Sequence, residues 1–256
     1  MLLLIVFMTG CEEVVHRPIQ SASSLLVVEG MLTNELAQHK VKLSWSVTDP
    51  DDTGAAVSGA IVTITEGALT YPLTESQLVP GEYRTPTMRA VVGRRYTLHI
   101  QYSGEDYFAQ DGPLPVEPMS PIGYRAVTNG YVINFEKSGD DPNYIRHDIT
   151  WKDTPACQSN ACEGLLFFYD LKTIDVNEGT KPQQEEFVFP AGSTVARKKY
   201  SVSPEYRHFL RAMLSETEWH GGVFDVDRAN APTNLTNGAI GFFAVCTVIT
   251  DSTQVP

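Results

Sequence analysis

Long hydrophobic runs are missing where a membrane span would need one. The apolar stretch near the start, Leu2–Met8, has seven residues, and a crossing helix takes about 20. Positive charge is also scarce: 19 Lys and Arg stand against 31 Asp and Glu, for a formal net charge of −12. That balance argues against nucleic acid as a partner and against a basic face that hugs a membrane. Signatures of catalysis are absent. The six histidines show no H-E-x-x-H spacing, and there is no G-x-S-x-G elbow, phosphate loop or G-x-G-x-x-G turn, so neither an enzyme class nor a cofactor is indicated. Helical periodicity is missing from residues 25–110. Cysteine is sparse, with four in 256 residues.

What is present at the N-terminus has a specific layout. The apolar run is followed by Thr9-Gly10 and then Cys11. This is the order of an export signal with a lipobox, Met8-Thr9-Gly10-Cys11, in which small residues admit the peptidase and the cysteine thiol takes a diacylglyceryl group. The expectation is cleavage after residue 10 and an acylated Cys11 that anchors the chain without spanning the bilayer. Met8 stands where leucine is usual. No Lys or Arg precedes Arg17, which a start codon placed too late would explain. Residues 11–24 lack a core pattern and read as a tether.

From residue 25 the pattern is β. Leu25–Gly30 reads as a buried strand, and Val41, Leu43, Trp45 and Val47 alternate with polar residues. Ile61–Thr65 is β-branched, Pro80-Gly81 is a turn before a strand, and Tyr96, Leu98, Ile100 and Tyr102 alternate again. Short strands punctuated by Gly, Pro and Asp predict a sandwich over 25–110. Pro113, Pro115, Pro118 and Pro121 then crowd one stretch, which reads as a stiff linker over 111–121.

Beyond it, residues 122–256 restart with strands at 130–135, 144–151, 165–169, 186–189 and 196–202, and end in one long strand, 239–249. A single helix is predicted over 204–217. Ser203 suits its N-cap and Pro204 its first position. Tyr206, Phe209, Leu210, Met213 and Leu214 form a stripe expected to bury against the second sheet. The predicted fold is therefore mostly β: two consecutive sandwiches of immunoglobulin or fibronectin type, the second bearing one helix.

Several stretches in order resemble a Bacteroidota outer-membrane lipoprotein family known as domain of unknown function 4249. They are the signal with Cys11; Leu26–Asn34; Val57-Ser58-Gly59-Ala60 and the strand after it; Gly81-Glu82-Tyr83; and Val92–Ile100. Toward the C-terminus they continue with Gly222–Asp225, Pro232-Thr233-Asn234 and Gly238–Phe243. Residues 57–100 also look like carboxypeptidase-regulatory-like sandwiches. The resemblance implies a lipid-anchored outer-membrane protein, facing the periplasm or the cell surface, encoded beside TonB-dependent transporters. It supplies no catalytic residues. The expected role is a non-enzymatic accessory that holds or presents substrate to such a transporter. Two alternatives stay open: a stand-alone surface module that binds glycan or protein, and a hydrolase with a dispersed site. The ligand is not indicated.

Few residue clusters invite chemistry. Asp49, Asp51 and Asp52 with Gly54 suggest a calcium loop, but the twelfth position, where a bidentate Glu belongs, is Ala60. A hairpin loop rich in turn formers is the plainer reading, and Gly139–Asn143 reads the same way. Cys157 and Cys162 fit half a zinc site, yet the two further close ligands are lacking. In an exported chain they suit a local disulfide better. Cys246 in the last strand reads as a buried free thiol. Trp45 and Trp151 sit in strand patterns and read as core, as does Trp219 after the helix, although an exposed Trp219 could stack on a sugar.

Overall fold

The structure is a computed structural model, and it describes residues 24–47, 52–135, 139–158, 162–172, 186–217 and 231–256. The first part of the chain forms β1 (Leu26–Thr33), β2 (Lys40–Trp45), β3 (Ile61–Glu66), β4 (Leu69–Pro72), β5 (Thr74–Glu75), β6 (Glu82–Arg84), β7 (Tyr96–Tyr102) and β8 (Glu105–Asp111). The second part forms β9 (Tyr124–Val127), β10 (Gly130–Ile133), β11 (Asn143–Thr150), β12 (Glu163–Asp170), β13 (Thr194–Ser201), α1 (Pro204–Glu216), β14 (Ile240–Cys246) and β15 (Val248–Gln254). The fold is mostly β, two packed units with one helix among the described residues.

The first unit is a two-layer sandwich. One sheet has the order β14-β1-β2-β6-β5 and the other β4-β3-β7-β8. Their inner faces share one core, in which Val28, Leu43, Tyr83, Tyr96, Leu98 and Ile100 are buried almost completely. The alternation along β2 and β7 produces this directly, because successive side chains leave a strand on opposite faces.

The strand β14 departs from the predicted domain layout. The stretch expected as one final strand of the second unit is two strands, and they belong to different sheets. β14 lies parallel to β1, with Val27 opposite Ile240 and Thr33 opposite Cys246. β15 runs antiparallel to β13 in the sheet β12-β11-β13-β15. β14 is buried on both sides: Phe243 and Val245 enter the sandwich core, while Phe242, Ala244 and Cys246 join a second core with α1. A near-continuous apolar run suits a parallel strand covered on both faces.

Other expectations shift for similar reasons. The linker starts later than residue 111, because Asp111 ends β8 and is buried. β10 pairs with β9, and residues 186–189 contribute a single bridge, Tyr131 to Phe189, in place of a strand. The helix stripe lies mainly over β14: the rings of Tyr206 and Phe209 lie tilted against Phe242 at 5.0 and 5.2 Å, and Tyr206 also meets Tyr144 of β11 edge-on. The helix start is as read, with the Ser203 hydroxyl accepting from the Tyr206 N–H and Pro204 in the first turn.

Candidate functional site

The stretches that carried the resemblance do structural work. Tyr83 is fully buried; its hydroxyl donates to the Val57 carbonyl and accepts from the Ala60 N–H, both at 2.9 Å. The Glu75 carboxylate accepts from the N–H groups of Gly81 and Gly59 at 3.0 and 2.9 Å, bonds that hold its pKa below the usual carboxylate value. Gly81 is required twice over: its φ is +76°, and a Cβ there would lie 2.5 Å from the Leu43 carbonyl oxygen.

Pro232-Thr233-Asn234 closes an open sheet edge. The Thr233 hydroxyl donates to the Gly241 carbonyl at 2.8 Å. The Asn234 carboxamide donates to the Phe243 carbonyl at 2.8 Å and accepts from the Phe243 N–H at 3.1 Å. Asp111 accepts from the Val245 N–H at 2.8 Å. Three side chains thus stand in for the strand that β14 lacks on its outer edge. Asn34 brackets Val248 in the same way, through that residue's N–H and C=O, where the chain passes from one sheet to the other.

Of the residues expected to carry chemistry, Cys11, Asp49, Asp51 and Trp219 lie outside the described residues. Asp52 is exposed, and no cluster of three His, Cys, Asp or Glu suited to a metal occurs among the described residues. Cys157 and Cys162 are joined in a disulfide with Cα atoms 5.5 Å apart, which leaves no thiolate for zinc. Cys246 is a buried free thiol whose pKa burial pushes up. Trp45 is half-buried edge-on to Tyr102, and Trp151 is half-buried beside Phe187.

The two faces of the second sheet are the most distinctive surfaces. On the covered face, strand register places Asp170, Asn143 and Ser201 in one row, Phe168, Ile145 and Lys199 in the next, then Leu166, His147, Arg197 and Asp251. This face is polar for a buried one. Asn143 Oδ1 and His147 Nδ1 are buried and meet no hydrogen-bond partner. Lys172 lies 2.7 Å from Asp170 Oδ2, an ion-pair contact off the hydrogen-bond direction, and neither carboxylate oxygen receives a hydrogen bond. Arg197 grips Asp251 through Nε and Nη2 at 2.9 and 2.5 Å and donates to the Ser120 carbonyl of the proline-rich segment. Between sheet and segment lies a cavity of about 30 Å³ walled by His147, Arg197, Phe135, Asn134, Ser120 and Met119, room for about one water. Burial, then the neighbouring Arg197 charge, lowers the pKa of His147 to about 4.

The opposite face is open at its Leu165 end, whereas Tyr144 and Tyr200 at the other end are buried in the core shared with α1. Leu165, Asp148 and Ala196 form one row, Phe167, Arg146 and Lys198 the next, and Tyr169, Tyr144 and Tyr200 the last. Leu165 is 49% and Phe167 45% exposed. Rings stack in sequence from Phe167 to Tyr169, Tyr144 and Tyr200, the last pair 4.5 Å apart and 3° from parallel. Arg146 holds Asp148 in a fork, and a shallow depression of about 480 Å³ spans Arg146, Asp148, Glu163, Leu165, Thr194 and Ala196. His147 faces Leu166 and Arg197 across its strands. The exposed Leu165 end of this face offers a platform for contact. Its signal was present in the apolar run Leu165–Tyr169, whose alternate residues divide between a covered and an open face.

The family model described as "Domain of unknown function (DUF4249)" matches residues 12–252. The chain belongs to that family. No curated protein is similar to it.

Proposed function

We propose, with membership of the DUF4249 family as the premise, that this protein is an outer-membrane-anchored lipoprotein acting as a non-enzymatic accessory of a TonB-dependent transporter. The open face of the second sheet is its contact surface. The observation that supports this best is the exposure of Leu165 and Phe167 side by side on an ordered sheet, with the Arg146–Asp148 fork beside them. Neighbouring apolar side chains on a rigid face are what a protein partner buries. Cys11 supplies the membrane attachment in this reading, and residues 12–23 the reach.

The test is recovery of the full chain, tagged after Pro256, from membranes in mild detergent, with mass spectrometry of Cys11 and of co-purified proteins. The expected result is an acylated Cys11 and a stoichiometric β-barrel transporter, which is lost in the double variant Leu165→Asp, Phe167→Asp. An acylated chain recovered with no partner overturns the accessory role and leaves an independent surface binder. Unmodified Cys11 removes the anchor.

A further inference from the structure

We propose that His147 is an acid-operated latch on the proline-rich segment 112–123, the strap that joins the two units and covers the inner face of the second sheet. The strap is held at few points. Arg197 donates to the Ser120 carbonyl, the Asn134 N–H donates to the Gly123 carbonyl at 3.0 Å, and the Glu117 carboxylate accepts from the Asp140 N–H at 2.9 Å. Proline at four positions leaves it fewer N–H groups with which to do more. His147 sits beneath the first of these points, 3% exposed, lining the cavity, with Nδ1 unpartnered and its ring edge-on to Phe135 at 5.5 Å.

The charged groups around the ring decide what a proton does there. From β13 comes Arg197, already committed to Asp251 of β15. Its own strand brings Asp148, which is taken up by Arg146. From β12 come Leu166 and Phe168, and from the strap Met119, Ser120, Pro121 and Gly123, all uncharged, while the strap's one carboxylate, Glu117, is taken up by the Asp140 N–H. No carboxylate near the ring is left over to receive an imidazolium. A protonated His147 would be a second buried cation beside Arg197, and such a charge must reach water or leave. The cavity lies under Ser120 and Pro121, so the path to water runs through the strap. Lifting the strap hydrates the ring and frees the Ser120 carbonyl together.

The latch goes beyond the transporter reading and does not depend on it. The experiment is hydrogen–deuterium exchange of the full chain at pH 7 and pH 4, corrected for the intrinsic pH dependence of exchange. The Asn134 amide, which donates to the strap at the Gly123 carbonyl, should exchange at least about tenfold faster at pH 4, with β7 and β14 still protected, and His147→Phe should abolish the acceleration. An Asn134 amide that stays protected at pH 4 overturns the proposal, and so does acceleration that persists in His147→Phe. If His147→Phe does not fold, an NMR titration of the wild-type histidines decides. Strap resonances that move with the His147 ring support the latch, and a ring that titrates while they stay still overturns it.

Discussion

The two units treat buried polar groups in opposite ways. In the first sandwich, His39 holds the Glu35 and Met88 carbonyls, Thr85 accepts from the His39 N–H, Glu82 takes Arg84, and Asp111 takes Val245. Among the described residues, the buried side-chain polar atoms without hydrogen-bond partners belong to Asn143, His147, Asp170, Arg207 and Thr247, all beyond the proline-rich segment. Native proteins leave few such atoms, and each needs a reason. The first unit satisfies its buried side-chain polar groups. The second keeps desolvated groups under a cover that can move, and carries the open apolar face on its other side. The contrast places adaptability in the second unit and shape in the first.

The largest expected effect removes the element the units share. Phe243 is fully buried in the first core, while its neighbours Phe242 and Ala244 serve the second. Phe243→Ala should cost about 4 kcal/mol. Because β14 ties both cores, far-ultraviolet circular dichroism and tryptophan fluorescence should still report one urea transition, moved to lower concentration. Two separated transitions would show that the units are independent and would dissolve the comparison.

Acid should act on both units, through different groups. Unfolded His147 takes its proton near pH 6.5, and the folded residue near 4. The unfolded chain therefore binds more protons across that window, and stability falls as pH drops from 6.5 to 4, by at most about 3 kcal/mol. His147→Phe removes this loss. Glu75 of the first unit has a lowered pKa, so the stability it contributes holds above the ordinary carboxylate range and fades below it. Denaturant midpoints at pH 7, 5.5 and 4 separate the two: between pH 7 and 5.5 only the histidine acts, and wild type and variant should diverge there first.

Asn234→Ala tests the satisfied side. It strips both partners from the Phe243 backbone and leaves an N–H and a C=O at a half-buried edge, at a cost of about 2 kcal/mol. Calorimetric melting of the variant against wild type reads it. Asn34→Ala should behave alike at Val248. A loss under about 0.5 kcal/mol in both would mean that water replaces these carboxamides and that the first unit is less tightly closed than its hydrogen bonds imply.

Much of the scaffold was legible in the sequence. An apolar run marked β1, alternation marked β2 and β7, and β-branched residues marked β3; Ser203 and Pro204 marked the helix start; the spacing of Cys157 and Cys162 suited a short closed loop. What was hidden depends on distant residues. Asp111 looked like the first residue of a linker because prolines follow, yet its role is to cap Val245, 134 residues away. The run 240–246 announced burial on both faces without naming β1 as its neighbour. Tyr124–Val127 is too short and too exposed to show a period. His147 looked like any scattered histidine, since its surroundings come from Arg197, Ser120 and Phe135, which the chain brings together only when folded.

The smallest expected effect sharpens the comparison most. Asn143 is 2% exposed, its Oδ1 meets no donor, and its Nδ2 donates to the Asp141 carbonyl at 3.0 Å. Replacing it with leucine, which has the same branched skeleton of side-chain heavy atoms, sacrifices one hydrogen bond and relieves one desolvated oxygen. These are opposing contributions of about 1 kcal/mol each, so Asn143→Leu should leave stability within about 1 kcal/mol of wild type in urea melts. Asn234→Ala, also the loss of an asparagine, should cost more. The sign of that difference carries the argument. If the Asn143 change is the costlier, its oxygen has a partner in solution, such as a buried water shared with Asp170, and the covered face is as well satisfied as the first sandwich. If it is neutral or stabilising, the second unit holds polar groups that folding alone would discard, and their retention points to what that face does when its strap is lifted.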